Sequence, residues 1–186
     1  REHTLSDFTQ RNIRKTADYL CATNQFEQAR NLICGSFSTP GTISNRYEAY
    51  LTGALGNICM CMGDDDEALQ YFEEMLKYVT AKGIIGWRAH AYLGIANIYF
   101  KLGNIREAID YAQRAERIYC RIQQEWGIIM SDALLSACES RMGCEPIRMA
   151  CKRSINRARK LQYGSCVESI EALCREETNY LKLYFL

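Results

Sequence analysis

Residues that could carry out acid–base or nucleophilic chemistry are sparse in this sequence. Histidine occurs twice, at His3 and His90, and neither lies in a sequence pattern with a nucleophile and a carboxylate. The phosphate-binding pattern Gly-x-x-x-x-Gly-Lys and the nucleophile pattern Gly-x-Ser-x-Gly are both absent. The sequence therefore predicts a protein that is not an enzyme.

Cysteine is the most frequent reactive side chain. The sequence has no Cys-x-x-Cys pair and no Cys–His cluster, which are the spacings of structural zinc sites. We interpret the thiols as reduced and as small buried hydrophobic residues, and a redox-sensing thiol is the alternative. No metal and no cofactor is predicted. The cysteines are Cys21, Cys34, Cys59, Cys61, Cys120, Cys138, Cys144, Cys151, Cys166 and Cys174.

Charge and hydropathy argue against two classes of partner. The net charge is +1, and the one basic cluster, between residues 148 and 160, is weaker than the one-sided basic surface of a duplex-binding protein. Direct nucleic-acid binding is therefore not predicted. No apolar run reaches the ~18 residues of a membrane span, and the first residues lack a secretory-signal pattern, so we expect a cytoplasmic protein that does not bind membranes.

Two asparagines, Asn57 and Asn97, are the most specific candidates for a binding role. The interval between them equals the interval between Gly63 and Gly103. A side-chain amide can donate a hydrogen bond to a carbonyl and accept one from an N–H at the same time. A ladder of such amides could hold the backbone of an extended peptide whatever its side chains are. The alternative is that both asparagines bond to local backbone or face water.

The spacing of the two asparagines belongs to a wider repeat of small and apolar residues. A fixed period of about 40 residues is typical of a solenoid of stacked helix pairs. Small side chains in such a repeat let two antiparallel helices approach closely. The matching pairs, all separated by the same interval as the two asparagines, are Leu55 and Ile95, Gly56 and Ala96, Gly63 and Gly103, and Ala68 and Ala108.

Both copies of the repeat also carry residues typical of a helix start. Asp64 is followed by Glu67, and Asn104 by Glu107. An Asp or Asn oxygen at the first position and a Glu three residues later can satisfy free backbone N–H groups in a capping box. The sequence therefore predicts that a new helix begins at each of these sites.

Helical periodicity and the Gly and Pro breaks together predict an all-α fold. We expect an α-solenoid of about four helical hairpins plus a C-terminal capping helix, in a single domain over residues 1–186. Since the chain begins with Arg1 rather than Met, we also expect a fragment of a larger protein. The hairpins are predicted at about 5–35, 45–82, 87–125 and 128–162, and the capping helix at about 165–183.

The repeated columns resemble the tetratricopeptide repeat family. The length of the period is similar to that of its long-helix subgroup, which includes regulatory domains of bacterial transcription activators and Leu-Gly-Asn repeat adaptors. The resemblance implies a right-handed superhelix that binds a protein or peptide ligand in its concave groove. The residues that carry it are Leu55, Gly56, Cys59, Gly63, Ala68 and Phe72 in one copy, and Ile95, Ala96, Tyr99, Gly103, Ala108 and Ala112 in the next.

The resemblance also implies which residues face a partner, because the first helix of each hairpin lines the groove in that family. Basic side chains among them would attract an acidic ligand or a terminal carboxylate. The implied groove residues are Arg14, Asp18, Tyr50, Asn57, Met60, His90, Asn97, Phe100, Lys101 and Arg141.

The last residues, from Tyr180 to Leu186, are unusually apolar. They could cover the open end of the solenoid, or they could join a second copy or a neighbouring domain. The first possibility follows from the need of terminal repeats for a covering element.

We predict a protein- or peptide-binding module, the regulatory or partner-recognition domain of a larger signalling or transcription-regulating protein. Two alternatives stay open. One is a self-assembling or multi-subunit adaptor scaffold, with a homodimer formed through the apolar residues Leu183 or Phe185. The other is a small-molecule sensor with a pocket in the superhelix.

Overall fold

The computed structural model of the chain describes residues 7–37 and 45–183, and all regular secondary structure in these ranges is helical. The all-α prediction is confirmed; residues 5 and 6 of the first predicted hairpin lie outside the described ranges. The helices are α1 (Asp7–Ala22), α2 (Phe26–Phe37), α3 (Asn45–Met62), α4 (Asp65–Ala81), α5 (Ile85–Lys101), α6 (Ile105–Arg121), α7 (Glu125–Arg141), α8 (Ile147–Ala150), α9 (Lys152–Lys160) and α10 (Gly164–Cys174).

The chain divides into two compact units. Unit 1 runs to Trp87, and its helices pack in chain order, α1 against α2, α2 against α3 and α3 against α4. Unit 2 runs from Arg88 to Leu183, and in it α7 packs against α6, α9 and α10. Helices that are neighbours in sequence therefore pack against each other in unit 1 and, for α6 and α7, in unit 2.

The helices end in a common turn. After α5, for example, Gly103 has φ 84°, and the N–H of Asn104 then bonds to the carbonyl of Tyr99 at 2.9 Å. This is the Schellman motif, in which a residue with left-handed backbone angles lets later N–H groups reach the last free carbonyls of the helix. The same positive φ recurs at Asn24, Gly63, Gly83, Gln123, Gly143, Gln162 and Glu176.

The predicted capping boxes are wrong in their side-chain bonds. Helices α4 and α6 begin one residue after Asp64 and Asn104, but neither residue makes a side-chain cap hydrogen bond. Glu67 instead forms an ion pair with Arg30 of α2, with Nη2 and Oε1 2.6 Å apart. The turn geometry thus sets where α4 begins, and the glutamate joins two neighbouring hairpins.

Glycine allows a close approach of an aromatic ring to a helix backbone in each unit. In unit 1, a Cβ added to Gly56 would lie 2.8 Å from the ring of Phe72, so the aromatic ring packs directly on the backbone of α3. In unit 2, a Cβ added to Gly127 would lie 2.3 Å from the ring of Tyr119. Both rings are almost completely buried. The expectation that small residues mark the helix contacts is met at Gly56, with Phe72 filling the space beside it.

Small residues also dominate the core of unit 2. Alanine columns on α5, α6 and α7 bring these helices close together, and larger side chains fill the space between the columns. The buried alanines are Ala89, Ala96, Ala108, Ala112, Ala115, Ala133 and Ala137.

Two predicted helices differ from the structure. The second helix of the hairpin predicted at about 128–162 is broken at Cys151 into α8 and α9. The predicted capping helix at 165–183 ends at Cys174, and the chain continues without regular structure to Leu183. The apolar residues after Cys174 are compatible with helical periodicity, but they pack against the core of unit 2 outside any helix.

None of the helices in the described ranges combines the length and the hydropathy that a membrane span requires.

Candidate functional site

Asn97 pairs with the backbone of a distant residue. It lies on α5, and its relative exposure is 0%. Its amide nitrogen donates to the carbonyl oxygen of Leu181 at 2.5 Å, and its amide oxygen accepts from the N–H of Leu181 at 2.9 Å. One side chain therefore satisfies both backbone groups of one residue, as the neighbouring strand does in an antiparallel sheet.

Leu181 belongs to the 178–183 segment, the stretch after α10 that has no regular secondary structure. The N–H of Lys182 donates to Oγ of Ser169 on α10 at 2.7 Å. The ammonium of Lys101 on α5 lies 5.2 Å from the ring centroid of Tyr180, within the range of a cation–π contact. The segment is thus held by polar groups from both α5 and α10.

Side chains from Tyr180 to Leu183 alternate in burial. Leu181 and Leu183 are 0% and 2% exposed and belong to the hydrophobic core of unit 2. Tyr180 and Lys182 are half-buried. A period of two residues is the pattern of an extended chain. It leaves the N–H and carbonyl of Leu181 available to Asn97, and the N–H of Lys182 available to Ser169.

Arg141 and Phe100 contact each other at the ends of α7 and α5. Nη1 of Arg141 donates to the carbonyl oxygen of Phe100 at 2.8 Å, and the guanidinium carbon lies 4.0 Å from the centre of the Phe100 ring. The arginine satisfies a carbonyl in the last turn of α5 and covers the fully buried ring.

His90 lies in the interior of unit 2. Its ring stacks on Trp126, with centroids 5.7 Å apart and planes inclined by 20°. Burial lowers the pKa of His90 to about 3, so the imidazole is neutral at physiological pH. With 4% exposure, the side chain offers almost no surface to a partner in this conformation.

In unit 1, three implied groove residues form a cluster with one another. The Arg14 guanidinium lies 5.3 Å from the ring centre of Tyr50, and its Nε is 3.9 Å from Oδ2 of Asp18. The Tyr50 hydroxyl lies 3.3 Å from both Oδ1 of Asp18 and the carbonyl oxygen of Arg14. Burial raises the pKa of Asp18 to about 6, although the charge of Arg14 and the Tyr50 hydrogen bond act in the opposite direction.

The two remaining implied groove residues, Asn57 and Met60, lie on α3 and are 8% and 0% exposed. Asn57 precedes Asn97 by one repeat, so a buried amide recurs at the same position in the two repeats. The ten implied groove residues therefore divide equally between the two units, and within unit 2 Asn97 and Lys101 contact the 178–183 segment.

Five residues of this arrangement were not predicted as groove residues: Ser169, Tyr180, Leu181, Lys182 and Leu183. The alternation of leucine with polar residues after Tyr180 was the available signal, because a period of two favours an extended chain over a helix. A serine on a predicted helix carries no comparable signal, since its hydroxyl can also bond within its own turn.

Cysteines divide by burial. Burial raises the pKa of Cys59, Cys138 and Cys151 to about 12, so these thiols stay protonated at neutral pH. Cys34, Cys120 and Cys144 are exposed, so the interpretation as buried hydrophobic residues does not extend to every cysteine. Within residues 7–37 and 45–183, no group of three or more His, Cys, Asp or Glu residues could hold a metal ion.

A family model described as tetratricopeptide repeat matches residues 47–121. The matched range begins in α3 and ends with α6, so it includes both asparagines and the two copies of the repeat. A comparison with curated proteins found no match.

Proposed function

Because residues 47–121 belong to the tetratricopeptide repeat family, we propose that this chain binds an extended segment of a partner protein. Repeats of this family generally mediate protein–protein interactions. The chain would serve as the partner-recognition domain of a larger signalling or transcription-regulating protein.

The pairing of Asn97 with Leu181 is the observation that carries this proposal. A buried amide that bonds to both backbone groups of one residue recognises a conformation rather than a side chain. A second amide, Asn57, is buried one repeat earlier. A buried amide at the same repeat position of each unit supports a binding mode in which the partner's backbone is recognised by the amide and its side chains add specificity.

The scaffold alternative is not supported by a specific contact. Leu183, which was expected to join a second copy, packs in the core of unit 2 itself. Phe185, the other expected contact, lies outside the described residues.

The proposal is tested with peptides selected from a random library displayed on phage. Isothermal titration then compares their affinities for the wild-type chain and for Asn57→Leu and Asn97→Leu, which remove the amide but keep the number and branching of the side-chain heavy atoms. We expect at least one variant to bind about tenfold or more weakly, since two hydrogen bonds to the peptide backbone are lost.

Asn156→Leu is the matched control, because Asn156 is exposed on α9 and the substitution is the same. Circular dichroism at the titration temperature establishes that each variant is folded, since Asn97→Leu also removes two buried hydrogen bonds. If the selected peptides bind both amide variants as tightly as the wild type, the proposed binding mode is wrong.

A further inference from the structure

The 178–183 segment has the features of a bound peptide rather than those of a structural element of unit 2. It forms no helix, and three of its hydrogen bonds to unit 2 join its own backbone to the side chains of Asn97 and Ser169. Such bonds do not depend on the side chains of the bound segment. Another extended chain could therefore form all three of them.

The link between α10 and this segment is short and irregular. α10 ends at Cys174, and Glu176 has φ 59°, which turns the chain out of the helix. Thr178 donates from its hydroxyl to the carbonyl oxygen of Tyr180 at 2.9 Å, which is a contact within the segment itself. The segment is therefore joined to α10 by a short turn, and it does not form a second helix that packs against α10.

Three side chains define what the segment presents to unit 2. The Tyr180 ring lies against the Lys101 ammonium, and the side chains of Leu181 and Leu183 enter the core. Lys182, between the leucines, contributes its N–H to Ser169 while its side chain is half-buried. The pattern is therefore an aromatic residue, an apolar residue, a residue that is bound through its backbone N–H, and a second apolar residue.

From this arrangement we infer that the 178–183 segment is a resident occupant of a peptide site formed by Asn97, Lys101 and Ser169. The external partner of this site is an extended peptide with an aromatic residue, an apolar residue, any residue and a second apolar residue in succession, and it binds by displacing the segment. This inference rests on the proposed function and adds the partner's chemistry and the competition.

Displacement is energetically accessible because the terms that hold the segment oppose each other. Two buried leucines and three hydrogen bonds favour docking, whereas ordering six residues costs conformational entropy of comparable size. Because the segment occupies the site, the apparent affinity for an external peptide equals the intrinsic affinity multiplied by the fraction of molecules in which the site is open.

The test uses the full chain and a peptide of sequence Thr-Asn-Tyr-Leu-Lys-Leu that carries a fluorophore on its N-terminal amine and an amide at its C-terminus. Leu181→Ala weakens the resident segment and leaves every site residue unchanged. We expect it to bind the peptide about tenfold or more tightly than the wild type, because the site is open more often. The peptide should also raise the melting temperature of this variant more than that of the wild type.

Asn179→Ala is the matched control, since Asn179 is exposed in the same segment, and it should bind like the wild type. A peptide with serine in place of both leucines should not bind. Equal affinity of the peptide for the wild type and for Leu181→Ala would show that the segment does not compete with the peptide. Absence of binding to every folded variant at about 1 mM peptide, which is on the order of the weakest specific affinities, would show that the peptide site does not exist.

Hydrogen exchange decides the question without a variant, in case Leu181→Ala does not fold. The amides of Leu181 and Lys182 report directly on the bonds to Asn97 and Ser169. We expect them to exchange at least about 100-fold faster than the core amides of α7, because the segment opens without unfolding of unit 2. Exchange only by unfolding of the whole unit would make the segment part of the core and overturn the inference.

The two proposals fail separately. If selected peptides depend on Asn57 or Asn97 but their affinity does not change in Leu181→Ala, the chain binds peptides and the competition is wrong. If no peptide depends on either asparagine, the proposed function fails as well.

Discussion

At the scale of single residues, Asn97 has the two groups that are needed to pair with one residue of an extended backbone. Its donor and its acceptor are both used, and both bonds are buried. A buried amide needs partners for both groups, because an unsatisfied polar group in the interior is costly. The amide therefore requires a backbone opposite it, and in this structure Leu181 provides that backbone.

Single residues also determine how well the helix ends are formed, and Gln123 is a case that can be tested. It has φ 54° after α6, where Gly103 has φ 84° after α5. A side chain in this left-handed region costs roughly 1 kcal/mol, and glycine avoids this cost. Gln123→Gly is therefore expected to raise the free energy of unfolding by about 0.5–1 kcal/mol.

The reverse substitution, Gly103→Ala, serves as the control in the equivalent turn and should lower the free energy of unfolding by about 1 kcal/mol. Urea titration followed by circular dichroism measures both. A lower stability of Gln123→Gly would mean that the glutamine side chain contributes contacts that outweigh the cost of its backbone angles.

At the scale of helices, close packing depends on glycine at the places where an aromatic ring meets a backbone. Tyr119 of α6 is 1% exposed and lies against Gly127 of α7. Trp126 packs edge-on against the same ring, with centroids 6.1 Å apart. The ring of Tyr119 is therefore enclosed from several sides and cannot move away from a side chain added at Gly127.

Gly127→Ala is expected to destabilise the chain by about 1–3 kcal/mol, because the new Cβ would overlap the base of the Tyr119 ring. Gly164→Ala is the matched control: Gly164 begins α10, and nothing lies within 4 Å of a Cβ added there. The control should be as stable as the wild type or slightly more stable. Thermal melts of the two variants give the comparison, and equal melting temperatures would contradict the packing argument.

At the scale of the whole molecule, a buried histidine and a half-buried aspartate give stability opposite dependences on pH. Burial lowers the pKa of His90 to about 3 and raises the pKa of Asp18 to about 6. Below pH ~6.5 the unfolded chain protonates His90 while the folded chain does not, so acid destabilises the fold. The folded chain protonates Asp18 at a higher pH than the unfolded chain does, so this group gains stability as the pH falls from about 6 towards 4.

His90→Phe is expected to weaken the loss of stability in acid. The contribution of His90 is fully present above pH ~6.5 and falls by at most about 1.4 kcal/mol per pH unit towards pH 3. Phenylalanine preserves an aromatic ring against Trp126 and does not titrate. Urea titrations at pH 7.5, 6.0 and 5.0 compare the two proteins, and parallel pH dependences would show that His90 is protonated without cost in the folded state.

Most helices can be located from the sequence, because glycine often follows a helix end, and small side chains and amides recur at a fixed period. These features are local or periodic, so they can be read without coordinates. The hydrogen-bond partner of Asn97 follows only from the fold, because Leu181 lies 84 residues away along the chain and a contact over such a separation leaves no local signal. The conformation of the residues after Cys174 also follows only from the fold, since burial of two leucines in unit 2 outweighs the preference of that stretch for continuing the helix.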